Sequence, residues 1–200
     1  RTTNVRMLAQ IAMLSAVAAG LMLVEVPLPF LAPTFYQLDL SELPVLIGAF
    51  ALGPLAGMMI EMIKILLNFV LNGTLTAGVG ELANFLIGCA LVVPAGYIYR
   101  RRKTKKSALI GMSVGTVCMA LVGGILNAFL LLPAYGKAFG MPVDAFVEMG
   151  SAIFPGIDNL FTFCLFSVVP FNMVKGILVS AITMFLYKHI SRLLKGNQMG

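Results

Sequence analysis

From Ala108 to Leu132 the chain runs without a single charged side chain, and comparable apolar stretches lie at Val5 to Val24 and Val79 to Tyr99. At a rise of about 1.5 Å per residue, about 20 such residues cross a hydrocarbon core about 30 Å thick. Backbone polar groups in that solvent must be paired within the segment, which selects helices. A fourth run fills much of Leu160 to Tyr187. With 60% hydrophobic and 11% charged residues, the chain reads as an integral membrane protein forming one domain over residues 1–200. Its N-terminal run, flanked by Arg1 and Arg6, is too long for a secretory leader and reads as the first span.

Residues 43–71, "LPVLIGAFALGPLAGMMIEMIKILLNFVL", are ambiguous: one long kinked helix or two spans folded at "GPLAG". Charge decides between them. Arg1 and Arg6 precede the first span, and "RRRKTKK" at 100–106 follows the run ending at Tyr99. One span in the disputed region puts these basic segments on opposite sides of the membrane; two put both inside, where loop Lys and Arg accumulate. The expected architecture is therefore all-α, a bundle of six transmembrane helices with cytoplasmic N- and C-termini, and Lys188, Arg192 and Lys195 also fall inside.

The acids agree with this assignment. Glu25, Asp39, Glu42, Glu81, Asp144, Glu148 and Asp158 all fall in or beside outer segments. Glu61 alone is left within a span near the inner side, with Lys64 on the same helix face. That pair reads either as an internal ion pair or as a functional relay. Two outer segments are too long for simple turns: "EVPLPFLAPTFYQLDLSELP", whose "DLSELP" reads as a helix cap, and "PAYGKAFGMPVDAFVEMGSAIFPGIDN". Their apolar residues are expected to pack over the outer end of the bundle as a lid.

Several polar residues share a depth near that outer end: Asn68 and Asn72 in the third span, Glu81 and Asn84 in the fourth, Asn127 in the fifth. Asn172 and Lys175 join them if Pro170 marks the first turn of the sixth, which would place Lys175 one to two turns below the surface. Amides offer donors and acceptors, and one ammonium adds a charge-assisted donor. This composition suits a neutral, hydrogen-bond-rich small molecule with an apolar ring system; the bland alternative for each Asn is interhelical hydrogen bonding.

No Walker loop, no HExxH-type pair and no nucleophile with its base is present, so no catalytic constellation, metal site or resident cofactor is expected. Cys89, Cys118 and Cys164 are isolated within apolar runs and read as small core residues. The formal net charge of +6 arises beside apolar runs, which points to anionic lipid rather than nucleic acid. ATP-driven transport would need partner subunits. On the first span, Ala9, Ala12, Ser15, Ala16, Ala19 and Gly20 form a small-residue face, fit either for internal packing or for a partner helix.

The six-span plan, the A-x-x-x-A of Ala12 and Ala16, "LDLSELPVLIGAFALGPLAG", "GVGELANFLIG" with "VVPAGYIYRRRK", and "VPFNMVKG" together resemble the riboflavin-specific S components of energy-coupling factor (ECF) transporters. The resemblance covers nearly the whole chain. It implies a multi-pass subunit of the bacterial cell membrane that captures riboflavin at the outer face under a lid formed by the first loop. Transport would be driven with the coupling protein EcfT and the ATPases EcfA and EcfA′, which use the ATP. Ala12 and Ala16 would contact EcfT. Asn127, Asn172 and Lys175 would meet polar atoms of the ligand, with Glu81, Asn84 and Asn68 beside them and Leu38, Asp39 and Leu40 closing the site. The alternatives are an S component for another vitamin, such as thiamine or pantothenate, and a small proton-coupled carrier using Glu61 and Lys64.

Overall fold

The structure, a computed structural model, describes residues 2–196, with side chains described over residues 4–186 and at His189. Arg1, and the side chains of Lys188, Arg192 and Lys195, lie outside the described residues. The elements in order are α1 (Thr2–Met22), a short antiparallel ribbon of β1 (Val26–Pro27) and β2 (Gln37–Leu38), α2 (Glu42–Leu52), α3 (Pro54–Asn72), α4 (Val79–Arg101) and α5 (Lys105–Leu126). A π-helical turn, Asn127–Leu131, leads into α6 (Leu132–Phe139), followed by α7 (Val143–Ser151) and α8 (Leu160–Phe163). A second π-helical turn, Cys164–Val168, leads into α9 (Val169–Gly196).

Among the described residues, five helical stretches are long and apolar enough to cross a membrane: Asn4–Met22, Pro54–Asn72, Val79–Arg101, Lys105–Phe139 and Leu160–Leu186. The disputed region does break in two, at Gly53 and Pro54. Gly53 has φ 107°, open to glycine without strain, and Pro54 suits the first turn of α3, where no intrahelical N–H bond is needed. Ala49 approaches Gly57, Gly48 approaches Ile60, and Glu42 meets Lys64, the pattern of two helices folded back on one another. The difference from expectation is length: α2 has 11 residues, about 16 Å at the usual rise, too short to span alone. Part of the first outer segment descends into the bundle to reach it.

Two boundaries are corrected. The apolar run expected to end at Leu132 continues as a helical stretch to Phe139, and the last stretch begins at Leu160 rather than Pro170. Both prolines sit inside helical stretches, each two residues after a π-helical turn: Asn127–Leu131 precedes Pro133, and Cys164–Val168 precedes Pro170. The wide turn shifts the hydrogen-bond register, Leu132 N–H reaching Asn127 C=O and Val169 N–H reaching Cys164 C=O. The helix thereby accommodates a residue that has no N–H to donate. At the head of the last segment Asn159 accepts from Thr162 N–H at 2.9 Å while the Thr162 hydroxyl accepts from Asn159 N–H, a capping box that starts the helix a full ten residues early.

The core runs between α1, α2, α4 and α5, with Val45, Leu46, Phe50, Leu91, Val92, Met112 and Tyr99 buried, and Phe50 packed on Tyr99 at 4.6 Å between ring centroids. Helices α4 and α5 come close because Gly111 faces the Ala95 backbone and Gly115 the Leu91 carbonyl. Close backbone approach through small residues is what associates helices in lipid, where no hydrophobic force acts between them. Gly115→Val puts a side chain where that carbonyl lies and is expected to destabilise the bundle by about 1–3 kcal/mol. The readout is the thermal unfolding midpoint in detergent; an unchanged midpoint would contradict the close packing.

The two long connecting segments, expected to cover one end of the bundle, meet each other through Phe35. Phe35 lies 5.9 Å from Tyr135 and 5.5 Å from Phe146, and Tyr36 lies 5.7 Å from Phe171 and 6.4 Å from Phe163, centroid to centroid. Leu132, Phe146, Ile157 and Phe163 form a second buried cluster beneath them. On α1 the small residues divide: Ser15 and Ala19 turn inward, whereas Ala9, Ala12, Ala16 and Gly20 remain exposed.

Candidate functional site

Beneath the aromatic layer is a cavity of about 490 Å³, within the usual range for a small-molecule site. Its wall carries amides from four helices, Asn68 and Asn72 of α3, Asn84 of α4, Asn127 after α5 and Asn172 of α9, with Glu81 and Lys175. Phe35, Tyr36, Tyr135, Phe139 and Phe171 supply ring surface, and Asp39 enters from the first loop.

Several of these polar groups are held by neighbours. Asn127 donates from Nδ2 to Gly123 C=O at 2.7 Å, while its Oδ1 accepts from the Tyr36 hydroxyl. Asn172 donates to Val168 C=O at 3.0 Å and lies tight against Gly123, where an added Cβ would meet Nδ2 at 2.7 Å. Both amides thus pair through carbonyls in or beside the π-helical turns, which set their direction. Asn72 donates to Asn68 Oδ1 at 2.8 Å, and Glu81 accepts from the Thr74 hydroxyl at 3.0 Å. Burial pushes the Tyr36 phenol well above its ordinary pKa, so at neutral pH it keeps its proton and donates to Asn127.

Lys175 does not sit as the sequence suggested. It is about 22 Å along the helical stretch that begins at Leu160, near the middle of that span rather than one to two turns below the surface. Its ammonium meets Asp39 Oδ2 at 2.9 Å, and both groups are buried. The expected helix cap at "DLSELP" is also different: the Ser41 side chain makes no capping bond, and Asp39 Oδ1 accepts from Ser41 N–H at 2.8 Å instead. Asp39 therefore ties the loop to both the start of α2 and the second turn of α9.

Burial alone would raise the Asp39 pKa, but the ammonium groups of Lys175 and Lys64 and the Ser41 hydrogen bond outweigh it and hold the carboxyl at about 2. A depressed carboxyl contributes stability that is complete above its ordinary value of 3.8 and is lost as pH falls through about 2. We expect the 13C shift of the Asp39 carboxyl to stay flat from pH 7 to about pH 4; a titration midpoint within that interval would dissolve the pairing.

Of the residues singled out from sequence, Asp39, Asn68, Glu81, Asn84, Asn127, Asn172 and Lys175 line the cavity together. Leu38 and Leu40 do not: Leu38 packs with Ala32 and Phe171, and Leu40 packs against the main core. Extended chain alternates its faces, so three consecutive residues cannot all address one cavity. Tyr36, Phe35, Tyr135 and Thr76 were not singled out, although they line it too. Among the described residues no group of acids, His and Cys is arranged to hold a metal ion.

Residues 6–187 match the family described as "ECF transporter, substrate-specific component". The chain belongs to this family. Similar to this S component is the riboflavin transporter RibU of Staphylococcus aureus (strain TCH60), 35% identical over 185 residues that cover 92% of this chain and 90% of the relative. Riboflavin transporter FmnP of Bacillus subtilis (strain 168) is 32% identical over 180 residues, covering 90% and 88%. A solved structure of the S component of a bacterial ECF transporter matches with a TM-score of 0.74 at 34% identity, covering 96% of this chain and 99% of that one. The relatives are transport subunits, not enzymes, and the S component is a multi-pass protein of the bacterial membrane.

Proposed function

We propose that this S component binds riboflavin in the cavity between the outer ends of its helices and delivers it for ATP-driven uptake. The observation that carries this reading is the cavity itself, whose lining combines six amides, the Asp39–Lys175 ion pair and two further carboxylates with five aromatic rings. Riboflavin has the complementary form: an apolar dimethylbenzene edge, a pyrimidine-like edge rich in donors and acceptors, and a ribityl chain of hydroxyls. The names of relatives at 35% and 32% identity support the same ligand. Asn127, Asn172 and Lys175 face the polar atoms, with Asn68, Glu81 and Asn84 beside them. Asp39 closes the site from the first loop, and Leu38 and Leu40 hold that loop against the bundle.

In this reading the chain is one substrate-binding domain of six membrane helices, α2 and α3 forming a re-entrant pair, with both termini cytoplasmic. The basic residues at Arg6 and 100–106, which fall on one side of the membrane when α2 and α3 count as two, support that orientation. Its partners are the coupling protein EcfT, met by the exposed Ala12 and Ala16, and the ATPases EcfA and EcfA′.

The test is direct. Protein purified from riboflavin-supplied cells is expected to show flavin absorbance, and the apo form to quench the fluorescence of added riboflavin. Colourless protein that quenches nothing would sink the reading. Asn127→Ala leaves the Tyr36 hydroxyl without its acceptor and is expected to weaken binding by about 1–3 kcal/mol, read by the same titration; unchanged affinity would move the ligand away from α5.

A further inference from the structure

Glu61 and Lys64 are not among the cavity's lining, yet both are completely buried, and Lys64 stands about 12 Å below the outer end of α3. Lys64 donates to Ser41 Oγ at 3.2 Å and to Glu42 Oε1 at 2.9 Å, while Glu61 Oε1 lies 2.8 Å away as an ion pair without hydrogen-bond alignment. Helix α4 closes over the group at Gly88, where a Cβ would strike Glu61 and crowd Glu42. A buried ion cluster rarely stabilises more than apolar residues of the same shape, and charges at membrane depth are costly. Its presence calls for a positional role.

Its location supplies one. Four consecutive residues, 39–42, are gripped by two lysines from different helices: Lys175 through Asp39, and Lys64 through Ser41 and Glu42. The two grips differ in kind. No acidic residue occurs anywhere in α9, so Lys175 depends on Asp39, which arrives with the loop. Lys64 has Glu61 three residues away on its own helix, and Glu42 at the first position of α2, a helix packed against α1, α3, α4 and α9. Between the grips lies only Leu40. The loop is thus held at its root by Lys64 and, two residues earlier in the chain, by Lys175.

We propose that Lys64 is a positioning residue for ligand capture, fixing the root of the first loop at Ser41 and Glu42 so that Asp39 and Tyr36 are presented to the cavity, with Glu61 as its resident counter-charge. The Asp39–Lys175 pair completes the docking of the loop. The idea rests on the cavity being the riboflavin site, but the anchoring itself can be measured without ligand.

The experiment compares the parent protein with Lys64→Met, with Lys64→Arg, and with the neutral set Lys64→Met/Glu42→Gln/Glu61→Gln. The set leaves no unpaired charge behind and keeps the question answerable where the single change prevents folding. Hydrogen exchange of the amides of residues 34–41 is expected to accelerate about tenfold or more in the neutral set with no riboflavin present, while the amides of α4 and α5 keep their protection. Riboflavin should then dissociate about tenfold faster with little change in association rate. Lys64→Arg should restore both quantities close to parent values. Loop protection and dissociation rate unchanged in the neutral set would overturn the proposal, as would a loss of protection spread evenly through the bundle. Failure of the parent to bind riboflavin would refute the ligand assignment and leave the exchange result to decide the anchor.

Discussion

Replacing Lys175 with methionine is expected to cost the loop-docked state about 3–5 kcal/mol, because it strands the Asp39 carboxylate in a buried site with no counter-ion. The pair joins residues 136 positions apart in sequence, at 2.9 Å, and is the ionic contact between the first loop and the last helix. Two measurements follow. In the thermal unfolding of the apo protein the single variant should lose stability, and Lys175→Met/Asp39→Leu should recover most of it, since an apolar pair replaces an orphaned charge. Riboflavin affinity should fall in both variants, by two orders of magnitude or more in the single one, because the double change restores packing but not the polar contact to the ligand. A single variant with the stability and affinity of the parent would show that neither the loop nor the ligand depends on this ammonium.

The second large effect concerns coupling rather than capture. Ala16→Trp, introduced on the exposed face of α1, is expected to leave riboflavin binding to the isolated subunit unchanged and to abolish uptake in cells that contain the complete transporter. Ala12 and Ala16 face outward while Ser15 and Ala19 pack inward, so the bulky ring projects away from the cavity and from the core. A small-residue face permits helix axes to approach closely, and an indole at its centre prevents that approach. Impaired ligand binding in this variant would assign the face to packing within the subunit. Normal uptake would move the coupling surface elsewhere.

The outcome at individual residues shows what kinds of information the chain displays openly. The break at Gly53 and Pro54 was readable because two residues with opposed backbone restrictions stand together at the centre of an apolar run. The start of the last span was readable in principle from Asn159 and Thr162, a local capping signal, but Pro170 competes with it. The π-helical turns that reconcile Pro133 and Pro170 with a continuous helix carry no comparable local signature. The gathering of Asn68, Asn84, Asn127, Asn172 and Lys175 around one cavity was expected from shared depth, yet two of the boundaries behind that expectation were misplaced, and Lys175 lies further along the last helical stretch than a start at Pro170 implies. Tyr36 was not legible, because its hydroxyl finds Asn127 across 91 residues of sequence and only the folded loop brings them together.

Hydrophobicity and charge along the chain determined the membrane location, the helical class, the folded-back α2 and α3 and the residues available for a polar site. The reason is that lipid leaves the backbone one local solution, the helix, and punishes every misplaced charge heavily enough to be seen in composition. Tertiary structure decided the longer-range meetings of charges. The sequence already places Glu61 three residues from Lys64 on one helix face, but only the fold brings Glu42 to Lys64, and Asp39 across 136 residues to Lys175. Which carboxylate approaches which ammonium depends on how short α2 is and how far the first loop descends, and those are properties of the packed bundle.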